Sequence, residues 1–219
     1  MVFLKKISIK NISVIQIILT LFTVLLIVTI NIKVVLNFKP LYYRDIKALN
    51  IEKASKLNIE EIKLNYNYVI YYVQKHKIEE FNLPTLNSSI NGKLHFQDVK
   101  NIFNKIDYLL FASIIIIFSY LYFIKNKNYK FLKWSYNTLL FVHLLLILLF
   151  LFDFNKSFNT FHQLFFRNDY WILDPNIDPV INIMPETFFL HCIIFMITLN
   201  IISAIILYII YMLHTFHKN

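Results

Sequence analysis

The sequence predicts an all-α membrane protein, with four transmembrane helices and a mixed, mainly helical extracellular cap. Composition is the first reason, because 58% of the 219 residues are hydrophobic and the mean hydropathy is +0.55. Those values are too apolar for an ordinary soluble domain. The second reason is four apolar runs that are long enough, or nearly so, to cross a bilayer core of about 30 Å as helices. The runs occupy residues 12–36, 108–124, 134–154 and 188–213.

The first apolar run predicts an N-terminal anchor. It follows Lys5, Lys6 and Lys10, so the N-terminus is similar to a signal peptide. Its apolar stretch is nevertheless longer than a signal-peptide core of roughly 7–15 residues, and no small-x-small cleavage site follows it. We therefore expect this segment to be retained as a membrane helix.

Lysines next to the apolar runs predict the orientation of the chain. Cytoplasmic flanks of membrane proteins collect lysine and arginine. Lysines precede the first run and also fill the short loop between the second and third runs, at positions 5, 6, 10, 125, 127, 130 and 133. We expect a multi-pass protein of the cell membrane with both termini in the cytoplasm. The expected order is an N-terminal tail with the first helix (1–36), the outer cap (37–105), the second helix, cytoplasmic loop and third helix (106–154), a second outer segment (155–187), and the fourth helix with its tail (188–219).

The charge and the cysteine content exclude several classes of function. The net charge of +9 does not indicate nucleic-acid binding, because the basic residues are spread over the loops rather than gathered in one patch. An integral protein with this charge meets anionic lipid first, so membrane lipid is an expected partner. The single cysteine, Cys192, leaves no internal disulfide and no cysteine-based metal cluster.

The cap is predicted to be mainly helical. Segments 41–56 and 60–75 have helical patterns, whereas segment 81–89 contains Pro84 and predicts an extended stretch that forms a short strand or hairpin. Asn91-Gly92 is a turn signal. The apolar positions that follow it have helical spacing and predict a helix that runs into the second span; they are Phe96, Val99, Ile102, Phe103 and Ile106. His95 and Asp98 lie three residues apart on this helix, so they share one face, and His95 is expected in an exposed first turn.

The second outer segment predicts a short amphipathic helix at the membrane surface. Ser157 is a candidate cap, and the residues after it follow an i, i+3, i+4, i+7, i+8 pattern; they are Phe158, Phe161, His162, Phe165 and Phe166. His162 therefore lies on the apolar face. Trp171, Pro175 and Pro179 end the helix, and Met184-Pro185-Glu186 opens the fourth span.

Residues 161–189 carry far more side-chain chemistry than a connection between two spans requires. The run FHQLFFRNDYWILDPNIDPVINIMPETFF contains a histidine, an arginine, a tryptophan, a glutamate, three aspartates and three prolines. Its predicted place is the boundary between water and lipid. This combination predicts the core of an active site that works on a lipid.

Two sequence blocks resemble the lipoprotein intramolecular transacylases (Lit) of Gram-positive bacteria. They are HFQDVKNIF at 95–103 and the run at 161–189, and the four-span plan with a large first outer loop matches nearly the whole length. The resemblance implies that the enzyme moves the sn-2 acyl chain of a diacylglyceryl-cysteine lipoprotein to the α-amino group of that cysteine, giving the lyso-form. It also implies that His95 and His162 carry the chemistry, at the outer leaflet. The chain departs from the family pattern at Asn91-Gly92-Lys93, where an acidic residue or an arginine is expected.

The chemistry of an acyl shift assigns the remaining candidates. The amine is tethered near the ester, so the reaction needs a base and a stabilised oxyanion rather than a protein nucleophile, metal or cofactor. Histidine suits both tasks. We expect His162 to be the general base and His95 to polarise the ester or shuttle the proton, with the reverse assignment open. Orienting carboxylates are expected at Asp98, Asp169 or Asp174, an oxyanion or loop contact at Arg167, and a substrate pocket formed by Phe161, Phe165, Phe166 and Trp171.

Other interpretations remain open from the sequence. A non-enzymatic sensor or assembly factor with a ligand-binding cap is the main alternative, and a metal-dependent enzyme lacks a HExxH or comparable motif. A transporter is least favoured, because the spans contain few charges and no repeat. The plainer interpretation of a histidine, as a packed and hydrogen-bonded residue, is preferred for His143, His191, His214 and His217. Cys192 is not favoured as a nucleophile, because no base is fixed beside it.

Overall fold

The computed structural model describes residues 14–123 and 128–216, which form nine helices and no strand. The predictions that involve lysines 5, 6, 10, 125 and 127 and His217 lie outside the described residues. In chain order the helices are α1 (Val14–Asn37), α2 (Lys39–Ala48), α3 (Ile51–Ser55), α4 (Ile59–Val73), α5 (Ile90–Phe123), α6 (Lys130–Phe152), α7 (Phe154–Phe165), α8 (Val180–Ile183) and α9 (Glu186–Phe216). The predicted all-α class with a mainly helical cap is confirmed.

Four of these helices are long and apolar enough to cross a membrane, as predicted: α1, α5, α6 and α9. They pack together, with α6 against α9 and α1 in contact with the other three. Polar side chains link them across the bundle. The Asn31 amide on α1 donates to Asn200 Oδ1 (2.9 Å) and to Ser203 Oγ (3.2 Å) on α9. Such contacts fix how helices pair in lipid, where a buried polar group without a partner is costly.

Helix α5 extends beyond the membrane. Its 34 residues span about 51 Å, whereas the hydrocarbon core is about 30 Å thick. Its charged residues all lie between Lys93 and Asp107, so the N-terminal part up to Asp107 belongs to the cap and the apolar stretch from Tyr108 forms the span. The prediction that a cap helix continues into the second span is confirmed.

The predicted turn at Asn91-Gly92 is wrong, because α5 already begins at Ile90. Ser89 provides the cap, since its Oγ accepts a hydrogen bond from the Gly92 N–H at 2.9 Å. Gly92 does not form a turn but allows the carboxylate of Asp178 to pack closely against the backbone. A Cβ at this position would collide with the carboxylate of Asp178.

Two further predictions for the cap need correction. Segment 41–56 is two helices, α2 and α3, because Asn50 between them adopts a left-handed conformation with φ of 52°. Segment 81–89 forms no strand. Its backbone pairs with side chains instead, as where the Thr85 N–H donates to Asn65 Oδ1 at 3.2 Å, and Phe81 stacks on Phe96 of α5 with ring centroids 4.2 Å apart.

The cap and the second outer segment share one hydrophobic core. Tyr42 of α2 stacks on Tyr66 of α4 with ring centroids 3.6 Å apart, and its hydroxyl donates to the Ile183 carbonyl of α8 at 2.7 Å. Phe188, at the start of α9, packs edge-on against both tyrosines. This core holds residues 155–187 against the cap and thereby fixes α7 relative to α5.

Candidate active site

The two histidines singled out by the sequence lie together. His95 comes from the cap half of α5 and His162 from α7, and their ring centroids are 6.1 Å apart. Phe166, which directly follows α7, packs against both rings, at 5.0 Å from His95 and 5.6 Å from His162. The distance allows one substrate group to contact both imidazoles.

His95 is buried, contrary to the prediction of an exposed first turn. Only 8% of the residue is accessible. The chain folds back over α5 after α7 and covers the imidazole with the Phe166 ring. Burial, followed by the positive charge that His162 can carry, lowers the pKa of His95 to about 4, so its imidazole is neutral at pH 7. Its Nδ1 is buried and has no hydrogen-bond partner among the described residues.

The α7 helix fixes the tautomer of His162. Its N-cap is Asp153, which accepts from the Lys156 N–H at 3.0 Å, and not the predicted Ser157, which lies inside the helix. His162 Nδ1 lies 2.8 Å from the Phe158 carbonyl oxygen. A carbonyl oxygen can only accept, so Nδ1 carries the hydrogen and Nε2 of the neutral ring has the free lone pair. Burial lowers the pKa of His162, although the bond to Phe158 and the negative charge of Glu186 oppose this effect.

Aromatic rings surround His162 on several sides. Ring centroids lie 4.3 Å away for Phe158, 5.0 Å for Trp171 and 5.5 Å for Phe161. Trp171 Nε1 is buried without a partner among the described residues. Of the predicted pocket residues, Phe166 and Trp171 thus line the histidine pair, and Phe161 reaches His162 by its edge. Phe165 instead contacts Phe161 at 4.5 Å and is 57% exposed.

The predicted orienting residues have other contacts in the structure. Asp98 Oδ2 accepts from Asn168 Nδ2 at 2.9 Å and so ties the segment after α7 to α5. Asp174 Oδ1 accepts from the Asn176 backbone N–H at 2.9 Å within its own turn. Arg167 and Asp169 are exposed, and neither side chain forms an ion pair within the ranges 14–123 and 128–216. Upstream of His95, where the sequence differs from the family pattern, Lys93 pairs with Glu80 of the cap at 2.6 Å.

Two carboxylates near the histidines were missed by sequence reasoning. Asp178 is buried and accepts from both the N–H and the hydroxyl of Ser89, at 2.7 and 2.8 Å. Glu186 begins α9 and accepts from Asn155 Nδ2 at 2.9 Å. An aspartate followed by proline, repeated at Asp174 and Asp178, was a visible sign of ordered loop structure. Their partners, however, lie far away in the sequence.

Of the histidines expected to be packed and hydrogen-bonded, His143 and His191 have such partners as predicted, whereas His214 is exposed and has a stacking contact instead. His143 Nδ1 donates to the Leu139 carbonyl at 2.7 Å, His191 Nδ1 to the buried carboxylate of Asp45 at 2.7 Å, and His214 stacks on Tyr129 at 4.1 Å. The described part of the chain contains no group of three or more His, Cys, Asp or Glu side chains that could hold a metal ion.

Comparison with known proteins agrees with this arrangement. The family model of the lipoprotein intramolecular transacylase Lit matches residues 17–189. The fold is similar to the structure of the membrane-integral lipoprotein intramolecular transacylase Lit from Bacillus cereus, with 36% sequence identity, a TM-score of 0.88 and coverage of 93% of this chain and 95% of that chain. Two variants of the Bacillus cereus protein, in which one histidine is replaced by arginine or by alanine, are also similar. They have the same identity, TM-scores of 0.81 and 0.82, and coverage of 93% of this chain and 92% and 93% of theirs.

A search of curated protein sequences gives no match. The family match covers 173 of 219 positions (residues 17–189), which include both histidines, and the structural match covers 93% of the chain. The chain therefore belongs to the lipoprotein intramolecular transacylase (Lit) family of integral membrane enzymes.

Proposed function

We propose that this chain transfers the sn-2 acyl chain of a diacylglyceryl-modified lipoprotein to the α-amino group of the modified cysteine. The product is the lyso-form lipoprotein, which carries one acyl chain on nitrogen and one on the glyceryl group. Family membership supports the reaction class. The observation that carries the mechanism is the histidine pair, whose ring centroids are 6.1 Å apart. His162 has a free lone pair on Nε2, and His95 is buried and neutral.

In this mechanism His162 is the general base. The amine nitrogen attacks the ester carbonyl carbon, and His162 Nε2 accepts the proton that the nitrogen loses. The C–O bond to the glyceryl group then breaks, and the imidazolium returns this proton to the glyceryl oxygen. The new C–N bond replaces the broken C–O bond, and a substrate that enters as an ammonium ion releases one proton to solvent. General acid–base catalysis of this kind contributes about a hundredfold to ten-thousandfold in rate.

His95 is suited to stabilise the oxyanion. Because burial keeps its ring neutral, it can donate one N–H to the developing negative charge without bringing a positive charge that would repel imidazolium at His162. Intramolecular attack supplies much of the remaining acceleration, since holding amine and ester in attacking geometry is worth about 7–11 kcal/mol. Phe166 and Trp171 would hold the two rings, and the exposed Phe161 and Phe165 would contact acyl chains.

In this proposal the site lies at the outer leaflet, and both termini lie in the cytoplasm. Lysines near the N-terminus and between the second and third spans support this orientation. The exposed phenylalanines of α7 also fit a helix that lies in the membrane interface, where acyl chains and water meet. Diacylglyceryl lipoproteins anchored in that leaflet would reach the histidines directly from the bilayer. Arg167, Asp169 and Asp174 are retained as candidate loop contacts to the lipoprotein.

Mass spectrometry of a reporter lipoprotein tests the proposed function. The reporter is made in a host that leaves the cysteine amine free, with the intact chain, with His162→Ala or with no added protein. An N-acylated, monoacylglyceryl N-terminal peptide is expected only with the intact chain. His143→Gln is the matched control, since His143 makes the same bond to the carbonyl four residues earlier but lies outside the site, and it should retain activity. Unmodified diacylglyceryl peptide in every culture, with the protein present in the membrane, would favour the sensor or assembly-factor alternative.

A further inference from the structure

The start of α9 brings a carboxylate to the helix that carries His162. Glu186 Oε2 accepts from Asn155 Nδ2 at 2.9 Å, and one turn further along both helices the rings of Phe158 and Phe189 lie 5.7 Å apart. Asn155, Phe158 and His162 follow i, i+3, i+7 spacing and so share one face of α7. The face that contacts the N-terminal turn of α9 is therefore the face that presents the proposed base.

Glu186 is bonded to a neutral side chain, although the protein has a net charge of +9. Some partly or fully buried acids pair with a cation, as Asp45 does with Arg44 and Asp107 with Lys33. Asp98 and Asp178 instead accept hydrogen bonds from neutral donors. Among the described residues Glu186 forms no ion pair, and its hydrogen bond comes from a neutral amide. The side chain is only partly buried and is accessible to a ligand. Its negative charge reaches the histidine site, since it raises the pKa of His162 against the effect of burial.

We propose that Glu186 binds the α-ammonium group of the lipoprotein's N-terminal cysteine. This inference rests on the proposed transacylation, whose substrate brings one cation into the site. A partly exposed carboxylate with no protein cation beside it is a suitable partner for that charge. Asn155 donates to one of its oxygens and leaves the other available.

The proposed contact would also favour binding of the substrate over binding of the product. The bound ammonium first releases one proton to solvent. When the attacking nitrogen then passes its next proton to His162, the positive charge stays near Glu186, so the transfer does not separate charge over a long distance. After the acyl shift the nitrogen is an uncharged amide, and the ionic contact is lost. Glu186 would thus retain free-amine lipoproteins and release N-acylated ones.

Binding of a non-reactive analogue tests this proposal separately from turnover. The probe is a cysteine peptide that carries a dialkylglyceryl group with ether links, which cannot transfer an acyl chain. It is prepared with a free α-amine and with an acetylated one, and both are titrated into the intact protein in lipid nanodiscs at pH 6.5. The free amine should bind about tenfold more tightly, as expected for a charged hydrogen bond. Equal affinity of the two probes for the intact protein would overturn the proposal without use of any variant.

Two variants locate the source of the preference. Glu186→Gln retains an acceptor for Asn155 and removes the charge, so it should bind both probes alike. Asp153→Asn removes a charge just before the same outer segment and keeps a good N-cap for α7, so it should preserve the preference. A preference that survives in Glu186→Gln, with the protein folded as judged by thermal unfolding, would contradict the assignment. If the intact chain did not convert an ester substrate, this result would instead contradict the proposed function.

Discussion

Asp178 accepts two hydrogen bonds from Ser89, one from the backbone N–H at 2.7 Å and one from the hydroxyl at 2.8 Å. The two residues are 89 positions apart, and the contact joins the second outer segment to the residue just before α5. Ser89 in turn caps α5 through Gly92. Since His95 lies in the second turn of the same helix, this pair determines where the buried imidazole lies relative to the segment that carries His162.

Replacement of Asp178 by alanine should therefore lower both stability and activity. Asp178 is 4% exposed and Ser89 is partly buried, so loss of the carboxylate leaves two partly buried donors of Ser89 without acceptors. Each such donor costs about 1–3 kcal/mol. Thermal unfolding in detergent and the transacylation rate measure the two effects. Asp174→Ala is the comparison, because Asp174 is exposed and its side chain bonds within its own turn. Equal losses in the two variants would show that Asp178 has no special positioning role.

Gly92→Ala should be destabilising because of the same carboxylate. The new Cβ would overlap Asp178 Oδ1, which must then withdraw from Ser89. We expect a loss of about 1–3 kcal/mol, as for a broken buried hydrogen bond. A double-mutant cycle checks the cause. Gly92→Ala should cost little in an Asp178→Ala background, since the obstacle is gone. A cost that is the same in both backgrounds would indicate backbone strain instead.

The local sequence pattern predicted the helices better than it predicted the site. Run length and hydropathy identified the four spans, and the spacing of the phenylalanines identified α7. The wrong predictions depend on contacts between distant segments. His95 is buried because Phe166 covers it, and Asn91-Gly92 is helical because Ser89 and Asp178 meet there. No pattern in a single segment contains that information. Ser157 and Asp153 are both good caps, and only the end of α6 determined which one is used.

The pH dependence of the reaction should follow His162. Burial lowers its pKa below the ordinary value of about 6.5, so the base remains neutral and active as the pH falls to that value. Protonation of the substrate amine lowers the rate below about pH 8, and the fall should become steeper only at still lower pH, where the imidazole is protonated as well. Transacylation rates of a lipopeptide substrate between pH 4 and 9 measure this acidic limb. A rate that does not fall more steeply below pH 6.5 than amine protonation alone requires would contradict His162 as the base.

The pH profile of the transacylation rate in Glu186→Gln provides a second check, because the direction of its shift can be predicted. Glu186 stabilises protonated His162, so removal of its charge should lower the pKa of His162 further. The acidic limb should move to lower pH, while KM for the free-amine substrate rises. A shift to higher pH would mean that the limb reports another group. Asp153→Asn should leave the limb in place, which separates a local effect from a change in overall charge.

Phe166→Ala should reduce activity more than Phe165→Ala, the same change at the exposed neighbouring residue. Phe166 is 6% exposed and contacts both imidazoles, whereas Phe165 contacts neither histidine. Truncation of a buried phenylalanine costs about 3–5 kcal/mol, and here it would also admit water to His95. Water at this place should raise the pKa of His95 towards its ordinary value, so the ring would be partly protonated near pH 6 and would repel imidazolium at His162. The transacylation rate should fall most steeply at acidic pH in Phe166→Ala, while Phe165→Ala keeps the profile of the intact protein. A uniform loss across the pH range would limit Phe166 to a packing role.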